Sequence, residues 1–340
     1  MTPPPDPDHA VAIADALGAL EVQWPAGHSW MGAAEPLPEV VRRLADREGV
    51  RRALVGSIGM RLYDAFFTQG RPCPVTAPSP EGGERTLSNG LAAANSSTGY
   101  LEAGWEVIAH DDGRWVVRRG GLRLWVTPED VVCPDGPPAI GDVVALRHTG
   151  DAPALAPGFY IARGDCGFPT GLVDRVYLDL CREGAVAFIR EATRRLNRTG
   201  LPFTAKVVDT PAGFDRRDAA VLYFARRDRE RALETAEDLA RALAPFLEGG
   251  TPAMTLPLSP GVAFAEDPGG EESFGAHRCL LIADAAVTAA ERGLDDLDAR
   301  LALVRDRFAE AGTSVEAPYL GPPSDGVPHP LALLDPGVRA

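Results

Sequence analysis

Residues 201–223, LPFTAKVVDTPAGFDRRDAAVLY, hold the side chains most able to do chemistry. Lys206 is the only lysine among 34 basic residues; all the others are arginine. Compositional drift towards arginine explains the scarcity, and a lysine left over on the surface would be its uninteresting remainder. Arginine replaces lysine as a charge but not as a base. A guanidinium stays protonated at any working pH, whereas an ammonium that is desolvated or crowded by cations becomes a neutral amine. Upstream, Arg175, Tyr177 and Asp179 alternate with Val176, Leu178 and Leu180. Downstream, Arg216 and Arg217 precede a run that closes on Tyr223. Cations, a lone lysine and phenols make a set suited to holding an anion and moving a proton beside it.

Periodicity indicates the elements that must position this set. Residues 203–208 read as a strand entered from Pro202, with Phe203, Ala205 and Val207 on one face and Thr204, Lys206 and Val208 on the other. Residues 175–180 make a second strand, and AAVLYF a third. The intervening CREGAVAFIREATRRLNRTG has the apolar spacing of a helix that packs on a sheet. If the three strands share a sheet, one face is core and the other carries Arg, Tyr, Asp, Thr and Lys side by side. A helix over 227–247 follows, and the loop 249–272 delivers His277 and Arg278 to the start of a final helix pair, 277–291 and 294–311. A histidine that opens a helix commonly caps or packs; Arg278 beside it, after a Gly-rich acidic loop, makes the pair a site candidate.

Nearer the N-terminus, residues 9–20 and 37–68 read as helices ending in LYDAFFTQG, where aromatic packing is the expected role. Residues 71–90 form a loop rich in Pro, Gly and Ser. WEVIAH, RWVVRR and LRLWVT, separated by DDG and GG, read as hairpins, and 142–148 and 158–163 extend them into a small sheet or half-barrel. The tail after 312 is expected along the surface. The predicted class is α+β: a mixed β-sheet flanked by helices with a β-rich N-terminal portion. The division expected is 1–150, a helical and β-rich region, and 151–340, an α+β core.

Composition narrows the function. With 340 residues and 45% hydrophobic content the chain can bury a large core, and no apolar run approaches the roughly 18 residues of a membrane span. The opening MTPPPDPDHA lacks the basic and apolar regions of a signal peptide. Five scattered cysteines without a CxxC pair read as reduced thiols rather than disulfides or a zinc site, so a cytoplasmic protein with no metal is expected. The net charge of −14 argues against nucleic-acid binding. Residues 175–231 nevertheless hold twelve arginines and Lys206 against eight acidic residues, +5 in a chain whose remainder is −19. Some of these arginines (194, 195, 227, 229) belong to solvated helix faces; the remainder fit a small anion. GxSxG, HExxH, Walker and Rossmann motifs are all absent.

The ordered set AANSSTGYLEAGW, GFYIARGD, RVYLDL, LNRTGLPFTAKV, FDRRDAAVLY, PLSPGVAFAEDP and SFGAHR resembles the HopA-type effector family over roughly 86–290. That family was first named in plant-pathogen type III secretion, and its actinobacterial members accompany small kinases in clusters for lanthipeptides and thioamide-containing peptides. The resemblance implies a lyase that removes phosphate from phosphoserine or phosphothreonine of a precursor peptide, leaving dehydroalanine or dehydrobutyrine. It also implies a cognate small kinase as partner. A fainter similarity reaches phosphothreonine lyases, which use a lysine base, a histidine acid and phosphate-binding cations. On that similarity Lys206 matches the base, and Arg216, Tyr223 and Arg278 match binding positions. The expected cation-x-His pattern reads Arg175-Val-Tyr177 here, so the histidine acid is missing from its place; Tyr177 or His277 would replace it, or the phosphate would leave with little acid help.

The chemistry is coherent without that resemblance. Elimination needs a base at Cα and a neutralised leaving phosphate. Lys206 among Arg175, Arg216 and Arg278 would have its ammonium disfavoured by like charges, and arginines fit phosphate oxygens bidentately. Tyr177 could donate to the bridging oxygen, with Asp179, Tyr223 and His277 alongside. No organic cofactor is called for. The competing reading is a non-catalytic module that grips a phosphopeptide or a partner protein, with Lys206 as one more contact. Phosphoryl transfer or hydrolysis ranks third, because the Gly-rich loop, metal carboxylates and Cys-Arg motif it uses are missing.

Overall fold

The computed structural model describes residues 7–74, 85–134, 136–152, 155–270 and 272–321, with residues 327 and 330. Among these, helix α1 (His9–Ala19) leads into a three-stranded meander, β1 (Leu20–Gln23), β2 (Gly27–Trp30) and β3 (Ala33–Pro36). Helices α2 (Glu39–Leu44) and α3 (Arg47–Leu62) follow, and α3 ends in a π-helical turn, Tyr63–Phe67. Helix α4 (Arg85–Ala94) precedes a five-stranded sheet of β4 (Tyr100–Asp111), β5 (Arg114–Arg119), β6 (Leu122–Val126), β7 (Val131–Val132) and β8 (Val143–His148). The remainder is β9 (Phe159–Arg163), β10 (Val173–Leu178), α5 (Ala185–Thr199), β11 (Phe203–Val208), β12 (Ala220–Ala225), α6 (Arg229–Leu243), β13 (Leu256–Ser259), β14 (Val262–Glu266), α7 (Phe274–Glu291) and α8 (Leu297–Glu310).

The α+β class is observed, but the sheet expected to be mixed is antiparallel throughout. Its order is β13-β14-β10-β12-β11-β9. β12 pairs antiparallel with both β10 and β11, so the two strands joined by α5 are separated by a third and never touch. Helices α5 and α6 cover one face. Phe188, Ile189, Ala192 and Leu196 of α5 meet Phe203, Ala205 and Val207 of β11 in one buried cluster, as the alternation in both segments requires. Each large side chain so buried contributes about 1.5–3 kcal/mol. Gly200, at φ +68°, closes α5 in the left-handed conformation that a side chain would resist.

The opposite face is covered in part by α7 and the π-helical turn, which place Phe274, Phe66 and Phe67 on the sheet. This cover is tertiary and decides which polar residues meet solvent. The polar run 95–98 ties the small sheet to α5: Ser96 N donates to Thr193 Oγ1 at 3.0 Å and Asn197 Nδ2 to Ser97 Oγ at 3.0 Å.

Several expectations are corrected. The helix expected over 37–68 breaks at Ala45, and Asp46 restarts it by accepting from Gly49 N at 2.7 Å. Of the loop expected over 71–90, residues 85–90 are helical and 75–84 lie outside the described residues. Residues 159–163 join the large sheet through β11 rather than the small one. The helix expected from 277 begins at Phe274, with Ser273 Oγ as its cap at 3.3 Å from Ala276 N. Residues 315–320 do not simply lie along the surface: Val315 and Tyr319 are buried, and Tyr319 O accepts from Glu266 N at 2.8 Å. No helix is long and apolar enough to cross a membrane among the described residues.

Candidate functional site

Residues opposed in antiparallel pairs point to the same face. Arg175 stands opposite Tyr223, Tyr223 opposite Thr204, and Thr204 opposite Arg163. One step along, Tyr177 is opposite Val221 and Val221 opposite Lys206. The sheet thus carries two adjacent rows of polar groups on its non-helical-core face. Tyr177 and Lys206 are two strands apart, about 10 Å between backbones.

Lys206 is half-buried, and its Nζ lies 3.7 Å from the centre of the Phe159 ring. Among the described residues it makes no hydrogen bond or ion pair. Burial pushes its ammonium down to about 8; the Asp218 carboxylate opposes that, and Arg216 and Arg175 add to it. The expectation from sequence gave the leading part to neighbouring cations. Burial leads instead, and Arg278 is not among the groups acting on it.

Arg216 extends over the same ring, 5.5 Å from the Phe159 centre. Its Nε donates to Asp218 Oδ1 at 2.5 Å; one terminal nitrogen donates to Asp218 Oδ2 at 2.9 Å and to the Tyr63 hydroxyl at 3.0 Å. The other terminal nitrogen has no partner among the described residues. Tyr63 donates in turn to Asp218 Oδ2 at 3.3 Å, and its phenol is pushed well above the usual range by burial and by that carboxylate.

Arg175 is nearly buried, stacked 5.0 Å from the Tyr223 ring centre, and both its Nε (2.8 Å) and a terminal nitrogen bind Asp267 Oδ2. Tyr177 lies beneath Phe67 and Phe274, at 6.1 and 6.4 Å between ring centres. Its hydroxyl sits within the field of Arg175 but has no hydrogen-bond partner among the described residues, and burial raises its phenol well above the ordinary value. An unsatisfied buried hydroxyl costs about 1–3 kcal/mol. Burial raises Tyr223 as well, with Arg175 opposing.

Lys206, Arg216, Tyr223, Arg175 and Tyr177 therefore form one polar strip. The other three sequence candidates bond to groups outside it, although Arg278 still feels Tyr177 and Asp267, and His277 feels Asp267. Asp179 accepts from Arg217 at 2.8 Å and from Gly250 N at 2.6 Å, holding the loop after α6. Arg278 is spent on the carbonyls of Pro318 (2.8 Å) and Leu320 (2.7 Å) and on His277 Nδ1 (2.8 Å). His277 is lowered by burial and by the adjacent Arg278. Sequence reasoning missed Tyr63, Phe159, Asp218 and Asp267. Asp218 was legible only as a near neighbour of Arg216, two residues on in the turn that leads into β12. Nothing local marks Tyr63. Two concavities of about 510 and 540 Å³ lie along the small sheet rather than at Lys206; the second ends at Arg163.

Comparison with known proteins follows from this geometry. The HopA1 effector protein family matches residues 151–320, half of the chain, spanning every residue of the strip but not Tyr63. The effector protein from Pseudomonas syringae pv. tomato strain DC3000 superposes with a TM-score of 0.46 at 15% identity, over 84% of this chain and 94% of that one. The effector protein from Pseudomonas syringae pv. syringae strain 61 gives 0.43 at 15%, over 84% and 93%. No curated protein matches. By the match to half its length, the chain belongs to the HopA1 effector protein family.

Proposed function

We propose that the protein is a phosphopeptide lyase, removing phosphate from phosphoserine or phosphothreonine by β-elimination. The observation that carries this reading is Lys206: a sole lysine, free of any ion pair among the described residues, with an amine accessible near neutral pH over the same Phe159 ring as the Arg216 guanidinium. Lys206 Nζ takes the Cα proton. The electron pair left behind forms the Cα=Cβ bond as the Cβ–O bond breaks, and the phosphate departs with the bonding pair. Arg216 binds the phosphate oxygens and stabilises the charge they carry away. The unpartnered Tyr177 hydroxyl supplies a proton to the departing oxygen and regains one from solvent, while the Lys206 ammonium returns its proton to solvent, so that both groups end as they began. The substrate in this reading is a phosphorylated precursor peptide, prepared by a cognate small kinase, in peptide biosynthesis inside the cell.

The test is mass spectrometry of a phosphothreonine peptide after incubation with the protein and a chelator. Loss of the elements of phosphoric acid with a new thiol-reactive alkene supports the lyase; a free hydroxyl would mean a phosphatase. A second reading, a phosphopeptide-binding module without turnover, draws on two observations. Tyr177 is buried with a raised phenol, and Arg175 is already neutralised by Asp267. An intact peptide that nevertheless binds would favour it.

A further inference from the structure

Asp218 lies just before β12, its side chain only 6% exposed, and its side-chain contacts among the described residues are with Arg216 of the polar strip and with Tyr63. Oδ1 accepts from Arg216 Nε, and Oδ2 from an Arg216 terminal nitrogen and from Tyr63. This bidentate grip fixes the guanidinium plane and turns its one unfilled nitrogen away from the carboxylate. The run that carries the pair is itself clamped by the turn after α3: Arg217 N donates to Thr68 O at 2.7 Å, and Gln69 Nε2 to Asp215 O at 2.9 Å.

The groups that act on Lys206 are Asp218 and Arg216 from this run and Arg175 from β10, with the Phe159 ring of β9 beneath it. Tyr223 of β12, Tyr63 and Asp64 of the π-helical turn, and Tyr177 and Asp267 beside Arg175 surround that charge cluster. Of the carboxylates there, Asp218 is the one that acts on Lys206. We infer that Asp218 is a positioning residue, aiming Arg216 at the substrate phosphate and holding the charge balance that decides when Lys206 is a base. The phosphate half of this statement rests on the lyase reading. The lysine half does not.

A single lysine makes the test direct. Protein labelled only at lysine Cε gives one side-chain resonance, whose pH titration reports Lys206 with no substrate present. In Asp218→Asn the midpoint is expected to fall, by about one pH unit, since the Asp218 carboxylate favours the ammonium. Asp218→Glu, which keeps the charge, is expected to return it towards the wild-type value. Inorganic phosphate, followed by the same resonance, should bind Asp218→Asn several-fold more weakly. A wild-type midpoint in Asp218→Asn, or a Glu variant that titrates like the Asn one, overturns the inference. Should Asp218→Asn not fold, Asp218→Ser must move the midpoint in the same direction. Because the titration is read without turnover, a lyase assay that fails does not alter its outcome.

Discussion

Lys206 holds its ammonium 3.7 Å from the centre of the Phe159 ring. The ring acts in two opposed ways: it excludes water, which disfavours the charge, and its π-face attracts the charge, worth about 0.5–2 kcal/mol. Burial is the leading cause of the lowered lysine, so exclusion wins. Phe159→Ala, which admits water, should therefore raise the lysine midpoint towards 10.5, whereas Phe159→Leu, which keeps the bulk and removes the π-face, should leave it or lower it. Lysine-selective NMR reads both; movement in the same upward direction for both variants would refute the division.

Lys206→Arg keeps the charge and removes the base. Turnover of a phosphothreonine peptide is expected to drop by about 10²–10⁴, the usual worth of a general base, while affinity for the peptide changes little. Retention of substantial turnover would assign Lys206 to phosphate holding alone.

The same lysine couples folding to pH. Its folded value is about 8 against 10.5 in an unfolded chain, so between these the unfolded state binds more protons and stability rises with pH. The contribution is fully present above 10.5 and is lost as pH falls through about 8. Measured against Lys206→Met, which does not titrate, the wild type should gain relative thermal stability from pH 8 to 10.5. A constant difference across that window would show that Lys206 is not desolvated in solution.

Tyr177→Phe removes a buried hydroxyl that has no partner among the described residues. The melting temperature should hold or rise, because nothing satisfied is lost. If the phenol is the proton donor, kcat falls by about 10²-fold with unchanged peptide affinity. A wild-type rate removes Tyr177 from the mechanism.

Arg278→Lys separates scaffold from site. Arg278 presents separate nitrogens to Pro318 O and Leu320 O, a fork that a single ammonium lacks, so a loss of about 2–4 kcal/mol in stability is expected. Turnover per folded molecule should persist. A selective loss of phosphate affinity in a stably folded variant would return Arg278 to the site.

Features that depend on neighbours along the chain were legible in the amino-acid order. Strand alternation put Arg175, Tyr177 and Lys206 on the face opposite Val176 and Ala205, and the apolar stripe of α5 said that this other face would be covered. The single lysine marked itself by composition. Tertiary structure decided what depends on distant segments. Which strands pair is a long-range choice, and the insertion of β12 between β10 and β11 set Tyr223 between Arg175 and Thr204. Which polar residues lose water was decided by α7 and the π-helical turn, more than 200 residues apart, which roof Tyr177 but leave Lys206 half open. The tail 318–320, arriving against α7, engaged Arg278 through the carbonyls of Pro318 and Leu320, and Tyr63 reached Asp218 across 155 residues. Local periodicity carries the face of a residue; only the packed chain carries its partner.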